Sequence, residues 1–278
     1  MARAPGGRGR HPPVLKRFGQ HFLSDQKILT AIVEALAPTP SDTVIEVGPG
    51  RGSLTDILAE RSARVIAVEI DRALVAQLRE KYRDRPTVEI VEGDFLETDL
   101  SALAGKDFLL IGNVPYNITT PILFKTLEPP IPARSVFLVQ REVAARMAAK
   151  AGNEDYGALT VNVAVVAEVE QVMSVAAAVF NPPPKVDSAV VRLTPLEHPL
   201  VPVASLPSFR AFVQAAFGLR RKQMLRVVRT VRGLSTEVAS EVLEASEIPP
   251  SARPEVVTPG QFANLFSALG SEAHESQP

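Results

Sequence analysis

Cysteine is absent from the 278-residue chain, and histidine is scarce, with His11, His21, His198 and His274 far apart. Without cysteine there are no disulfides, no thiol nucleophile and no thiolate ligands for zinc or an iron–sulfur cluster. The histidines are too scattered for an HExxH-type pair, so no metal site is expected. No apolar run approaches the roughly 18 residues of a membrane span, and no apolar signal core follows the basic N-terminus. The expectation is therefore a cytoplasmic protein with no membrane partner. An excess of one charge is missing too: the formal net charge is −1, which on average argues against a nucleic-acid partner. What the chain does have is apolar material, 46% of its residues. At this length that supports one large domain, or a large one with a small one.

Residues 1–24 read as a basic arm, with Arg3, Arg8, Arg10, Lys16 and Arg17 and no acid. Its Gly and Pro content argues against regular structure before about Val14, and it is either a solvated tail or a phosphate-binding segment. From Asp25 the stripe Ile28, Ile32, Val33, Leu36 predicts a helix that Pro38 ends. β-Branched runs at 43–47, 64–69, 87–92, 108–113 and 135–140 then alternate with helical stretches at 54–61, 72–82 (capped by Asp71), 121–127 and 141–149. Strands alternating with helices predict βαβ units and a parallel sheet. A helix at 159–167 leads to runs at 169–175 and 186–193, read as an antiparallel pair at the sheet edge with NPPPK between them. From about residue 199 only helical patterns recur, at 209–218, 221–231, 236–245 and 259–269. The organisation expected is an arm (1–24), an α/β Rossmann-like domain (25–197) whose mostly parallel sheet has an antiparallel edge strand, and a small helical domain (198–278).

The segment VIEVGPGRGSL sets Gly48, Gly50 and Gly52 between a strand and a helix. Glycine is required where the backbone turns sharply and a ligand lies against it. Ser53 stands where G-x-G-x-x-G needs its third glycine, which counts against a dinucleotide. Glu69 ends the next strand about 20 residues on, where a carboxylate accepts from both ribose hydroxyls. A nucleoside lacking a pyrophosphate fits better, and S-adenosylmethionine is the natural candidate. Gly48 and Gly50 then approach it with backbone, and Glu46 serves its ammonium directly or through water. Asp94 accepts from the adenine amine, and Phe95 packs on the ring. Each acid alone is equally a cap or turn residue. The series Glu46, Glu69, Asp94, each at a strand's C-terminal end, points to a ligand, because ligands bind at those ends in open α/β sheets.

GNVPYNITTP follows the fourth run. An exocyclic adenine amine is a poor nucleophile, since its lone pair is delocalised into the ring. Hydrogen bonds from its two protons to the Asn113 side-chain oxygen and the Pro115 carbonyl favour a pyramidal nitrogen with its lone pair aimed at a methyl group. Proline stiffens the segment and preorganises those acceptors. Tyr116 can stack on the base. The plainer alternative is a proline turn into a helix capped by Thr119 or Thr120.

On these residues the chain resembles the ribosomal small-subunit adenine N6-dimethyltransferase family (KsgA/RsmA type), kin to the Erm resistance methyltransferases and the mitochondrial transcription factor B proteins. The matching segments run almost end to end: KRFGQHFL, VIEVGPGRGSLT, AVEIDRALV, GDFL, GNVPYNITTPILF, LVQREVAARM, YGALTV, FNPPPKVDSAVVRL, AAFGLRRKQMLR and RPEVVTPGQFANL. Val114 stands where Leu is usual, and His21 where Asn is common. The resemblance implies a class I methyltransferase sheet and a methyl donor held by His21, Leu23, Gly48, Glu69, Asp94 and Asn113. It also implies dimethylation of two adjacent adenosines in the 3′-terminal hairpin loop of 16S rRNA during small-subunit biogenesis, by a monomer needing no metal. Phe180 resembles a second aromatic that sandwiches the target base with Tyr116; the alternative is an ordinary core Phe.

Residues 209–232 contain no acid, and Arg220, Arg221, Lys222, Arg226, Arg229 and Arg232 cluster at their end. Lys222, Arg226 and Arg229 are spaced i, i+4, i+7, one face of a helix whose other side is Met224, Leu225, Val227, Val228 and Val231. Beside a base-modifying site this reads as an RNA phosphate track, against the alternative of a solvated face with a favourable helix C-terminus. The same logic draws Lys16 and Arg17 to RNA. Three other functions compete: an Erm-like enzyme acting on 23S rRNA, a non-catalytic assembly or transcription factor on the same fold, and a nicotinamide oxidoreductase. Ser53 opposes the last, and intact Glu69, Asp94 and Asn113–Tyr116 oppose the second.

Overall fold

The computed structural model describes residues 21–116 and 118–270. A two-residue strand β1 (Phe22–Leu23) precedes α1 (Gln26–Leu36), whose first amides, of Lys27 and Ile28, donate to the Asp25 carboxylate. The alternation then runs β2 (Thr43–Val47), α2 (Ser53–Arg61), β3 (Arg64–Glu69), α3 (Arg72–Lys81), β4 (Val88–Glu92), α4 (Leu100–Ala104), β5 (Leu109–Asn113), α5 (Thr119–Thr126), β6 (Arg134–Gln140) and α6 (Arg141–Ala148). After it come α7 (Ala158–Ala164), β7 (Ala167–Val175), β8 (Phe180–Asn181) and β9 (Ser188–Pro195). The chain then winds through α8 (Leu206–Gly218), α9 (Met224–Arg232), α10 (Thr236–Ala245) and α11 (Pro259–Ala268).

Seven strands form one sheet in the order β4-β3-β2-β5-β6-β9-β7, parallel except that β9 runs antiparallel to both β6 and β7. The antiparallel pair is the one expected, and β7 is the edge. Separately, β1 pairs antiparallel with β8. Successive strand residues point to opposite faces, so the unbroken apolar runs of the central strands feed two cores at once. Val44, Val65, Leu109 and Val136 face one cluster, covered by α1–α3, while their neighbours Ile45, Ile66, Leu110 and Phe137 face the other. The second cluster continues through α5–α7 into α8–α11. Arg210 of α8, with its side chain only 14% exposed, is held between these parts: it pairs with Glu128, donates to the Phe124 carbonyl and stacks 4.5 Å from the Phe124 ring centroid. No helix among the described residues is long and apolar enough to cross a membrane.

Four local expectations are corrected. The helix expected to reach residue 167 stops at Ala164, because the Val165 and Val166 carbonyls accept from Leu200 and Leu196 instead. The basic helix starts at Met224 rather than 221: Leu219–Lys222 is a turn closed by Lys222 N to Leu219 O (2.7 Å), and Gln223 is extended. Lys222 therefore does not share a helical face with Arg226 and Arg229. Neither Thr119 nor Thr120 caps α5; Ile118 occupies that position, and the Thr119 hydroxyl donates back to the Pro115 carbonyl at 3.1 Å. The fourth is α4, absent from the sequence reading although Asp99 caps it through the Ser101 and Ala102 amides.

Phe209 is fully buried, edge-on to Phe266 with ring centroids 5.4 Å apart. Phe209→Ala is expected to cost about 3–5 kcal/mol of stability by denaturant unfolding. A loss below about 1 kcal/mol would mean that α8 and α11 do not share this core.

Candidate active site

The strand order reverses between β2 and β5. From β2 the chain passes to α2 on one face; from β5 it passes to α5 on the other. Between those departures a crevice opens at the strands' C-terminal ends, the place where open α/β sheets bind ligands. A cavity of about 260 Å³ occupies it, with walls from the Gly48–Gly50 turn, Glu46, Glu69, Asp94, Phe95, Asn113–Tyr116 and His21–Leu23. Sequence reasoning thus gathered one site from segments spread over nearly a hundred residues.

Gly50 has φ +58°, and a Cβ there would stand 3.0 Å from the Phe22 ring. Only glycine allows that backbone and that approach together. Phe22 is further covered by the Arg51 guanidinium, 4.3 Å from its ring centroid. The turn and the β1 segment therefore close on each other at the mouth of the crevice.

Glu46 is 1% exposed and accepts from the Thr55 hydroxyl at 2.6 Å. Burial raises its pKa to about 7; the Thr55 bond opposes this, and the neighbouring Glu69 charge adds to it. Glu69, also buried, accepts from the Asp71 amide at 2.9 Å and the Gly50 amide at 3.1 Å. Burial raises its pKa as well, against those two bonds. Asp94 caps a short 3-10 turn (Phe95–Glu97), one oxygen accepting from Leu96 N at 2.8 Å. Asp94 is thus the turn residue that the sequence offered as one alternative, and it also lines the cavity. Among the described residues no Lys or Arg forms an ion pair with Glu46, Glu69 or Asp94. Three carboxylates around one cavity, none of them in an ion pair among the described residues, suit a ligand that brings hydroxyls, an amine and a positive charge.

The Asn113 amide nitrogen donates to the His21 carbonyl at 3.0 Å. A carbonyl can only accept, so the amide's orientation is settled and its oxygen is the end left for a ligand. The Pro115 carbonyl, expected as the second acceptor, is already engaged by the Ile118 amide and the Thr119 hydroxyl, each at 3.1 Å. Among the described residues no donor engages the Val114 carbonyl one residue earlier, which makes it the better acceptor on this wall. Tyr116 reaches Ser188 with its hydroxyl (2.7 Å), and burial raises its pKa. Its ring stacks on His21 at 5.7 Å between centroids, and His21 Nδ1 meets the Pro182 carbonyl at 2.8 Å.

Phe180 departs from its expected role. It is 3% exposed, packs in the cluster with Leu23 and Val175, and is not on the cavity wall, because pairing of β8 with β1 turns it into the core. Lys16 and Arg17 lie outside the described residues. Arg220, Arg221, Lys222, Arg226 and Arg229 are all exposed, though Arg220 comes within 3.8 Å of Glu255, an acid supplied from outside the acid-free stretch. Arg232 turns away from this group and lies over the Phe212 ring, 5.3 Å from its centroid. Sequence reasoning missed Thr55 and Ser188. Ser188 had a usable signal, a lone hydroxyl opening an apolar strand; nothing marked Thr55.

The sequence model of the family described as ribosomal RNA adenine dimethylase matches residues 14–269. The chain is 42% identical over 268 residues to a ribosomal RNA small subunit methyltransferase A from Geobacter metallireducens, covering 94% of this chain and 98% of that protein. It is 42% identical over 256 residues to the same-named protein from Myxococcus xanthus, covering 91% and 90%. Among solved structures it is similar to the 23S rRNA methyltransferase ErmE, with a TM-score of 0.70 and 32% identity over 89% of this chain and 99% of that one. A dimethyladenosine transferase from Plasmodium falciparum gives a TM-score of 0.76 and 27% identity over 90% and 98%. The sheet, with β9 reversed near its edge, is that of class I methyltransferases.

Because the Glu46 pKa is higher folded than unfolded, its contribution to stability is fully present below about pH 4.5 and lost as pH rises through about 7. Glu46→Gln lacks this dependence. Wild-type stability is expected to fall relative to the variant between pH 5 and 8, by on the order of 3 kcal/mol, in thermal or denaturant unfolding. Parallel pH profiles would show that Glu46 is charged at no cost.

Proposed function

This chain belongs to the ribosomal RNA adenine dimethylase family, and from that premise we propose that it uses S-adenosylmethionine to dimethylate two adjacent adenosines near the 3′ end of 16S rRNA, in the small ribosomal subunit or its precursor. The observation that carries the reading is Asn113 at the end of β5, on the wall of a cavity ringed by carboxylates, with its amide nitrogen taken by the His21 carbonyl so that its oxygen is the end left for a ligand. The cavity fits the donor: Glu69 suits the ribose hydroxyls, Asp94 the adenine amine, Phe95 the ring and Glu46 the ammonium, while Gly48, Gly50, His21 and Leu23 shape the backbone around it. When bound, S-adenosylmethionine supplies an electrophilic methyl group.

The protein's part is to hold and aim the nucleophile. Asn113 Oδ1 and the Val114 carbonyl accept hydrogen bonds from the two N–H groups of the target amine, which localises the lone pair, and Pro115 keeps the segment stiff. Tyr116 offers a stacking face, anchored by Ser188. The target base reaches that face by leaving its own stack. Exposed Arg221, Lys222, Arg226 and Arg229, with Lys16 and Arg17 of the arm, are suited to RNA phosphates, and we read 198–278 as the helical part that carries most of them. Such a protein works in the cytoplasm as a monomer. The likeness to ErmE supports one competing reading, action on 23S rRNA.

Incubation with labelled donor and either undermethylated small subunits or naked 23S rRNA, followed by mapping of dimethylated adenines, separates the two. Incorporation confined to small subunits is expected; incorporation confined to 23S rRNA would overturn the reading. Asn113→Ala is expected to slow transfer by about 10²-fold or more while leaving RNA affinity nearly unchanged. Replacing Arg221, Lys222 and Arg226 together by Ala should weaken RNA binding and reduce the slope of log affinity against log salt by about 2–3. An unchanged slope would remove the phosphate track.

A further inference from the structure

Lys125 sits on α5, the helix that begins just after the Asn113–Tyr116 segment, and its side chain crosses to the other wall of the site. The ammonium donates to the Leu96 carbonyl at 2.6 Å and the Thr98 carbonyl at 2.7 Å, and lies 5.7 Å from the Phe95 ring centroid. Among the described residues it has no carboxylate partner; its charge is met by carbonyls and a ring face. Those carbonyls belong to the turn that Asp94 caps from the opposite end, through Leu96 N at 2.8 Å, and that the Thr98 hydroxyl closes onto the Asp94 carbonyl at 2.7 Å. Lys125 is thus the counterpart of Asp94, one group at each end of the same few residues. The other end of α5 is fixed to the catalytic segment by Thr119, which donates to the Pro115 carbonyl.

We propose that Lys125 is a positioning residue: it holds the Asp94–Phe95 turn at a set distance from the Asn113 segment and so fixes where the donor's adenine sits relative to the target amine. The inference rests on the reading of Asp94 as acceptor for the adenine amine. Methyl transfer requires donor and acceptor in line at close range, so a strut between the walls that hold them acts on rate and on donor recognition together. A methionine at 125 fills the same length without bonding the carbonyls, which frees the turn and moves the Asp94 carboxylate.

The test is discrimination between S-adenosylhomocysteine and S-inosylhomocysteine, measured by calorimetry on each variant of the full chain. Inosine replaces the amine with a carbonyl oxygen, which would face a carboxylate at Asp94. The wild type is expected to prefer the adenine form by about tenfold or more. Lys125→Met should bring that ratio down several-fold, Lys125→Gln less far, and Lys125→Arg should keep most of it. Because the ratio is internal to each variant, a general loss of stability does not mimic the effect. Ratios in Lys125→Met and Lys125→Gln equal to the wild-type value would overturn the proposal. Asp94→Asn presents an amide donor to the inosine oxygen and should collapse or invert the ratio. If Asp94→Asn leaves it intact, the failure lies in the reading of Asp94 and takes the Lys125 proposal with it.

Discussion

Where β2 and β5 lie side by side, the chain leaves β2 toward one face of the sheet and β5 toward the other, so neither connection closes over the ends of the two strands. Every functional feature follows from that opening. The glycine turn belongs to the departure from β2, and the Asn113 segment to the departure from β5. Glu69 and Asp94 arrive from the strands next in order. Because the strands are parallel, all four contributions come to the same edge of the sheet.

The groups that face the cavity are also groups the fold uses. Glu69 ties the Gly50 amide to the start of α3, Asp94 caps a turn, Glu46 accepts from α2, and the Asn113 amide clasps the β1 segment. Glu46, Asp94 and Asn113 are each fixed through one side-chain atom while another remains for a ligand; Glu69 uses both oxygens, one on each amide, and offers a ligand the remaining lone pairs. Such double use gives preorganisation without additional residues, and it carries a cost in stability, visible in the raised pKa values of two buried carboxylates. It also explains why a carboxylate judged alone reads equally well as a cap.

The central strands were legible because they are buried on both faces: TVIEV and RVIAVE are short, mostly apolar β-branched runs bounded by turn residues, and the observed β2 and β3 coincide with them. The carboxylate series was legible for a related reason, since strand ends can be counted along the chain. What depended on contacts between distant segments was not. The burial of Phe180 follows from its pairing with Leu23 across the molecule. The engagement of the Pro115 carbonyl follows from how α5 begins, and the turn at Lys222 from carbonyl partners that periodicity does not encode. Residue spacing shows that a cation follows its neighbours by four positions, but not that the helix carrying both has already started.

The pairing of β1 with β8 also orders events in time. His21 and Pro182, which meet beside that pair, are 161 residues apart. A ribosome adding 5–20 residues per second needs roughly 8–30 s to cover that distance. Within that interval the nascent chain gains the strands that carry the glycine turn and the three carboxylates, while β8 has not been made and β1 lacks the strand it pairs with. The carbonyl that aims Asn113 comes from the same stretch as β1. The Asn113 amide, which we read as facing the nucleophile, is thus set only after the strands of the three carboxylates have been synthesised, and a chain truncated before residue 180 would carry those acids without the β1–β8 pair.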